Sequence, residues 1–156
     1  MKMLRNVRKY FLLTGQQKKL FVEAYLTLGF YRIAILTRSF KGLVTELNQN
    51  EKSTRTDIPY EKKQLALLIG GAVTAAANHT PWESACLVQA LSAQRMLRKR
   101  TIAGIFHLGV TMKSAENDPL AAHAWLVCGG KILTGDAGHE NYTILSTFSW
   151  KLEQKF

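Results

Sequence analysis

The chain has little cysteine: Cys86 and Cys128 are the two in 156 residues. That rules out a disulfide scaffold, and no C-x-x-C or H-x-x-x-H spacing suggests a metal centre. Proline is scarce, with three residues, and no repeat or low-complexity tract is visible. Long apolar runs are lacking too. The longest uncharged one, Leu65–Ala77, has 13 residues, short of the ~18 expected of a membrane-spanning segment, so it reads as a buried helix. No secretory signal is recognisable. The segment Met1–Arg8 is basic, but the apolar stretch after Leu12 is broken by Gln16, Gln17, Lys18 and Lys19 without a small-residue cleavage site. A cytoplasmic location, where thiols stay reduced, follows as the expectation.

Acidic residues are also few, 11 against 21 Lys and Arg, giving a formal charge of +10. The excess is uneven: residues 1–50 carry nine Lys/Arg and two Glu, whereas residues 113–156 carry four Lys and five acids. An acidic partner is expected for the basic half. With 47% hydrophobic and 21% charged residues, the composition is that of a globular domain large enough to bury its own core.

Apolar residues recur at helical spacing from Gln17 to about Arg38 (Leu20, Ala24, Leu28, Tyr31, Ile35, widened by Phe21, Tyr25 and Leu36). Phe40–Leu47 reads as a second short helix, and the polar stretch ending at Pro59 as a linker. A helix is expected from Tyr60 to Asn78, with Gly70 and Gly71 marking close packing. Thr80, Pro81 and Glu83 have the pattern of an N-cap, a first helical position and a capping box. They predict a helix carrying Cys86 in its second turn and ending at the basic Arg98-Lys99-Arg100. After Arg100 the period changes to alternation. Strands are expected at Ile105–Met112, Ala121–Cys128, Lys131–Asp136 and Thr143–Phe148, with Gly129-Gly130 as a two-residue hairpin. Helices followed by an antiparallel sheet make an α+β fold. The expected division is a basic helical region, 1–58, and a chemical domain, 59–156.

The hairpin allows cross-strand neighbours to be read off. Residues equidistant from Gly129-Gly130 oppose one another, so Cys128 faces Lys131 and His123 faces Asp136. Directly opposed side chains have Cβ atoms about 5 Å apart on one face. A bulge at Gly135 would alter that register. Cys86 near a helix N-terminus supplies a nucleophile whose thiolate the helix dipole favours. Cys86, His123 and Asp136 thus form a candidate nucleophile, base and orienting acid. A buried structural role is the competing reading for Cys86, as it is for His107 in its strand. Cys128 points to the face opposite His123. His139 and Glu140 are competing candidates for the base and the acid.

Three segments taken together, P-W-E-S-A-C-L-V-Q-A-L-S-A-Q-R-M-L-R-K-R, I-F-H-L-G-V and A-H-A-W-L-V-C-G-G-K-I-L-T-G-D, resemble the leader peptidases of lasso-peptide biosynthesis, the B proteins. These belong to the transglutaminase-like cysteine proteases. The resemblance covers roughly residues 59–148. It implies a transglutaminase/papain-like core and a triad mapping onto Cys86, His123 and Asp136. It also implies removal of the leader from a ribosomally made precursor peptide, with a separate ATP-dependent cyclase closing the macrolactam. Residues 1–50 lack the strand pair of a fused precursor-recognition domain. The chain therefore resembles the split form, which relies on a separate leader-recognition protein. Thr101 stands where the family has a glycine after the basic helix end. No metal or other cofactor is expected for this hydrolysis.

Two other classes remain open on the sequence. A transglutaminase-like acyltransferase would share the triad and pass the acyl group to an amine. A basic nucleic-acid-binding module would suit the charge, although no recognised nucleic-acid motif is present and no nucleic-acid partner is expected. Weak contact of residues 1–40 with a membrane surface is compatible with all three.

Overall fold

The computed structural model describes residues 9, 11–44, 48–49, 57–111, 121–150 and 152. Helix α1 spans Gly15–Thr37 and opens on a capping box. Gln17 N–H donates to Thr14 Oγ1 (3.2 Å) while Thr14 N–H donates to Gln17 Oε1 (3.0 Å). A single turn, α2 (Phe40–Leu43), and a two-residue strand, β1 (Asn48–Gln49), follow. Most of the expected linker lies outside the described residues, as does Met112. Helix α3 spans Tyr60–Ala77 and α4 spans Cys86–Lys99. The strands are β2 (Ile105–Thr111), β3 (Ala121–Cys128), β4 (Lys131–Thr134) and β5 (Thr143–Ser149), with a short 3-10 turn at His139–Asn141. All pairings are antiparallel, in the order β1-β5-β2-β3-β4. The α+β architecture of helices followed by an antiparallel sheet is therefore observed.

One hydrophobic core unites the helices with one face of the sheet. Leu20, Ala24 and Leu28 of α1, Ile69 and Val73 of α3, and Leu91, Met96 and Leu97 of α4 meet Phe106, Ala124, Leu126, Cys128 and Phe148. Burying a side chain such as Leu97 contributes about 1.5–3 kcal/mol. A division at residues 58/59 would cut through this core, because α1 packs on both α3 and α4. Gly70 is needed where α3 crosses β4: a Cβ there would stand 2.8 Å from the Leu133 carbonyl oxygen. Gly71 has open space instead.

Two chain reversals explain themselves locally. Gly129 and Gly130 have φ of +55° and +78°, the paired left-handed conformation of a two-residue hairpin. At the end of α4, Thr101 N–H bonds the Arg98 carbonyl and Ile102 N–H the Leu97 carbonyl, each at 3.0 Å. That is a Schellman closure, in which the residue after the cap must be left-handed. Here it is Thr101, with φ +52°. Lys62 Nζ donates to its carbonyl at 2.8 Å. The departure from glycine at this position therefore bears on a helix end.

Candidate active site

Cys86 is the first residue of α4, not a second-turn residue. The Thr80-Pro81-Trp82-Glu83 segment does not form the expected first turn and capping box. The Thr80 hydroxyl is used instead to fold the segment on itself, lying 3.1 Å from the Ala77 carbonyl, 3.0 Å from the Trp82 carbonyl and 2.8 Å from Ser84 Oγ. The residue at the cap is Ala85, which has no side-chain acceptor. The helix N-terminus beside Cys86 is thus free of a side-chain cap, and its peptide N–H groups favour an anion there. Trp82 anchors the lead-in segment on α1. Its ring meets Tyr25 edge-on at 5.3 Å, and a Cβ at Gly29 would come within 3.2 Å of it. The indole Nε1 of Trp82 is buried without a hydrogen-bond partner among the described residues.

The two cysteines differ sharply. Cys86 is half-buried at the margin of the core, whereas Cys128 is buried and donates its thiol proton to the Ala103 carbonyl at 3.2 Å. Burial pushes the Cys128 thiol up to about 11, so it stays protonated at neutral pH.

His123 lies on β3 and shares a sheet face with Trp125 and His107, while Ala124 and Leu126 join the helical core. Its imidazole stacks on Trp125 at 5.8 Å and meets Tyr142 at 4.9 Å. Its Nε2 is 2.7 Å from the Gly135 carbonyl oxygen. A carbonyl only accepts, so Nε2 carries the proton and Nδ1 keeps its lone pair. Gly135 makes this approach possible: its φ is +76°, and a Cβ there would stand 2.8 Å from Trp125 Cβ.

The expected opposition of His123 and Asp136 is not formed. The register read from the hairpin holds for Cys128↔Lys131 and Val127↔Ile132, then slips by one to Leu126↔Thr134. The irregularity falls before Gly135, and β4 ends at Thr134. The Asp136 carboxylate is 78% exposed and lies 3.5 Å from His139 Nδ1. That same nitrogen hydrogen-bonds the Asp136 carbonyl at 2.7 Å, and Glu140 lies 3.4 Å from it. His139 is thus held by its own turn. Among the described residues, no hydrogen bond joins Cys86 Sγ to His123 or His123 to the Asp136 carboxylate. His107 has the expected satisfied role. Its Nδ1 lies 3.0 Å from Thr147 Oγ1, and burial lowers its pKa.

What the sequence missed here is the Gly135 carbonyl. The signal was present, because a glycine immediately before the candidate acid and two residues past a strand's core position marks a close backbone approach. Among the described residues, no three His, Cys, Asp or Glu side chains are grouped so as to hold a metal ion.

The sequence profile of the transglutaminase-like superfamily (Transglut_core3) matches residues 28–147. The chain belongs to the transglutaminase-like superfamily. No curated protein and no solved structure matches it. Chemistry in this superfamily is generally cysteine-based, on a fold of cysteine-protease and acyltransferase type. In this transglutaminase-like chain, the matched span contains Cys86, His123 and Asp136 together with the C-terminal part of α1, from Leu28 to Thr37.

Proposed function

We propose that this transglutaminase-like protein is a cytoplasmic cysteine peptidase that removes the leader from a ribosomally made lasso-type precursor, with Cys86, His123 and Asp136 as its working residues. The observation that carries this reading is a pair of features within one superfamily domain. Cys86 stands at an uncapped helix N-terminus, and His123 has Nε2 tied to a carbonyl so that Nδ1 is the available base.

Catalysis requires Nδ1 of His123 and Sγ of Cys86 to meet; because His123 lies on the sheet face away from the helical core that Cys86 borders, peptide binding must rearrange the β3 edge or the segment leading into α4 to join them. Nδ1 then takes the thiol proton, and the thiolate forms a C–S bond to the scissile carbonyl. The His123 imidazolium returns that proton to the departing amine as the C–N bond breaks. Water, deprotonated by His123, cleaves the thioester, releasing the leader as a carboxylate and regenerating the thiol. The Gly135 carbonyl holds the ring in the tautomer this sequence needs. Asp136 acts as a positioning residue, anchoring with His139 the turn that presents that carbonyl. The basic half of the chain suits an acidic leader or the separate recognition protein that delivers it, and the freed core amine is the group an ATP-dependent cyclase would join.

The test mixes precursor, recognition protein and this protein and follows leader release by mass spectrometry. Cys86→Ala is expected to abolish release and Cys128→Ala to retain it; full activity of Cys86→Ala removes the nucleophile assignment. A superfamily acyltransferase would use the same acyl-enzyme, and product mass separates the two, because hydrolysis adds water and transfer adds an amine.

A further inference from the structure

Helix α1 buries one face and leaves the other apolar and open. Leu20, Ala24, Leu28 and Ala34 enter the core. On the outer side Val22, Leu26, Phe30, Ile33 and Leu36 form a stripe, with Leu12 beyond the N-terminal turn. Leu26, Ile33 and Leu36 are 68%, 64% and 70% exposed. Leu36 was expected to widen the inner stripe; it belongs to the outer one. The helix carries apolar residues on both its inner and its outer side, interrupted by Lys18, Lys19, Glu23 and Arg32, and an 18-residue window reaches a mean hydropathy of 1.4. By length and composition it is able to cross a membrane. Its inner face is committed to the core, so here it has the means only to lie along a surface.

Charge selects the occupant. Lys18 and Lys19 stand at one end of the stripe, and Arg38 and Lys41 at the other. The single acid in residues 1–44 is Glu23, and its carboxylate is held by Arg100 at 2.6 Å and by Lys99 at 3.5 Å. An apolar strip of about 22 Å, the rise of the helical residues from Val22 to Leu36, bounded by cations and without an unpaired acid fits acyl chains below a layer of anionic headgroups. We infer that the outer face of α1 docks in the plane of an anionic lipid bilayer. The inference stands independently of the peptidase reading.

The test is flotation of the full chain with vesicles of equal parts phosphatidylglycerol and phosphatidylcholine, and with phosphatidylcholine alone. Partition onto the anionic vesicles is expected to be at least about tenfold stronger than onto the neutral ones and to fall with added salt. Leu26→Glu/Ile33→Glu removes apolar contact at two exposed positions, and Lys19→Glu/Arg38→Glu removes charge; each is expected to weaken partition by about tenfold or more with an unchanged thermal melt. Absence of flotation overturns the inference, as does equal partition onto both vesicle types or undiminished partition of Leu26→Glu/Ile33→Glu. A dimer in solution that Leu26→Glu/Ile33→Glu converts to monomer, without flotation of the wild type, assigns the face to a second copy and likewise overturns it.

Discussion

His123 gives its Nε2 proton to the carbonyl of Gly135, 2.7 Å away, while the carboxylate of the next residue, Asp136, lies beside His139. A backbone carbonyl orients an imidazole as firmly as a carboxylate but adds no full charge to stabilise an imidazolium. The two arrangements therefore predict different variants. Asp136→Asn is expected to retain most of kcat for leader release, and Gly135→Ala to lose it through displacement of the His123 ring. Kinetics of the two variants decides: a loss in Asp136→Asn as deep as that of His123→Ala makes the carboxylate the direct partner during turnover.

Thiol labelling reports the difference between the cysteines. With its pKa raised to about 11, Cys128 has a thiolate fraction on the order of one in ten thousand at neutral pH, and it is buried as well. Iodoacetamide on the native protein is expected to modify Cys86 and leave Cys128 intact, as read by peptide mass mapping. Unfolding in denaturant is expected to expose both.

Thr101 occupies a left-handed position that costs a β-branched residue about 1–2 kcal/mol. Thr101→Gly is expected to relieve part of this and to stabilise the protein by roughly 1 kcal/mol, seen as a higher midpoint in urea. The Lys62 bond to the residue's carbonyl survives the change, since it does not need the side chain. A lower midpoint would mean that the Thr101 hydroxyl contributes more than its conformation costs.

Acid stability follows from two groups with the same sign. Burial lowers the pKa of His107 below its usual 6.5, and the Arg100 hydrogen bond lowers that of Glu23 below 4.5, assisted by the charges of Arg100 and Lys99. Both bind fewer protons folded than unfolded, so their stabilisation is present at neutral pH and lost as pH falls. Loss is expected to begin below about pH 6.5 from His107 and to deepen below about pH 4.5 from Glu23. Glu23→Gln should flatten the lower part of that profile, measured by thermal midpoint against pH.

The single core predicts that a fragment starting at residue 59 does not fold. It lacks Leu20, Ala24 and Leu28, leaving bare the faces of α3 and α4 that α1 covers. Leu28→Ala in the full chain is expected to cost about 2–5 kcal/mol, measured by urea unfolding. A cooperative fragment 59–156 with a native-like far-UV spectrum would restore the two-part division.

The parts of this fold that announce themselves in the sequence are those governed by short-range periodicity. Strand β3 begins and ends where alternation indicates, and the double glycine turns where its free φ allows. The helix carrying Cys86 starts at Cys86 itself, later than the capping pattern of Thr80 and Glu83 suggests. A tertiary contact, Trp82 lodged on Gly29 and Tyr25, instead holds that segment outside the helix. The His123–Asp136 pairing failed for a related reason. One irregular residue in β4 resets every partner beyond it; Gly135 in I-L-T-G-D marks the place as irregular but does not say by how much the ladder slips. The outward face of α1 was legible only as extra hydrophobicity, since periodicity cannot say which of two apolar sides is covered.

The seat of Trp82 against Gly29 gives α1 a second office. The helix that shows its flank to solvent also braces, from behind, the six residues leading into the thiol. Under the proposed peptidase reading, an occupant of that flank that shifts the helix moves the segment leading into Cys86, and by thermodynamic reciprocity a substrate that reseats Cys86 then alters the affinity for that occupant.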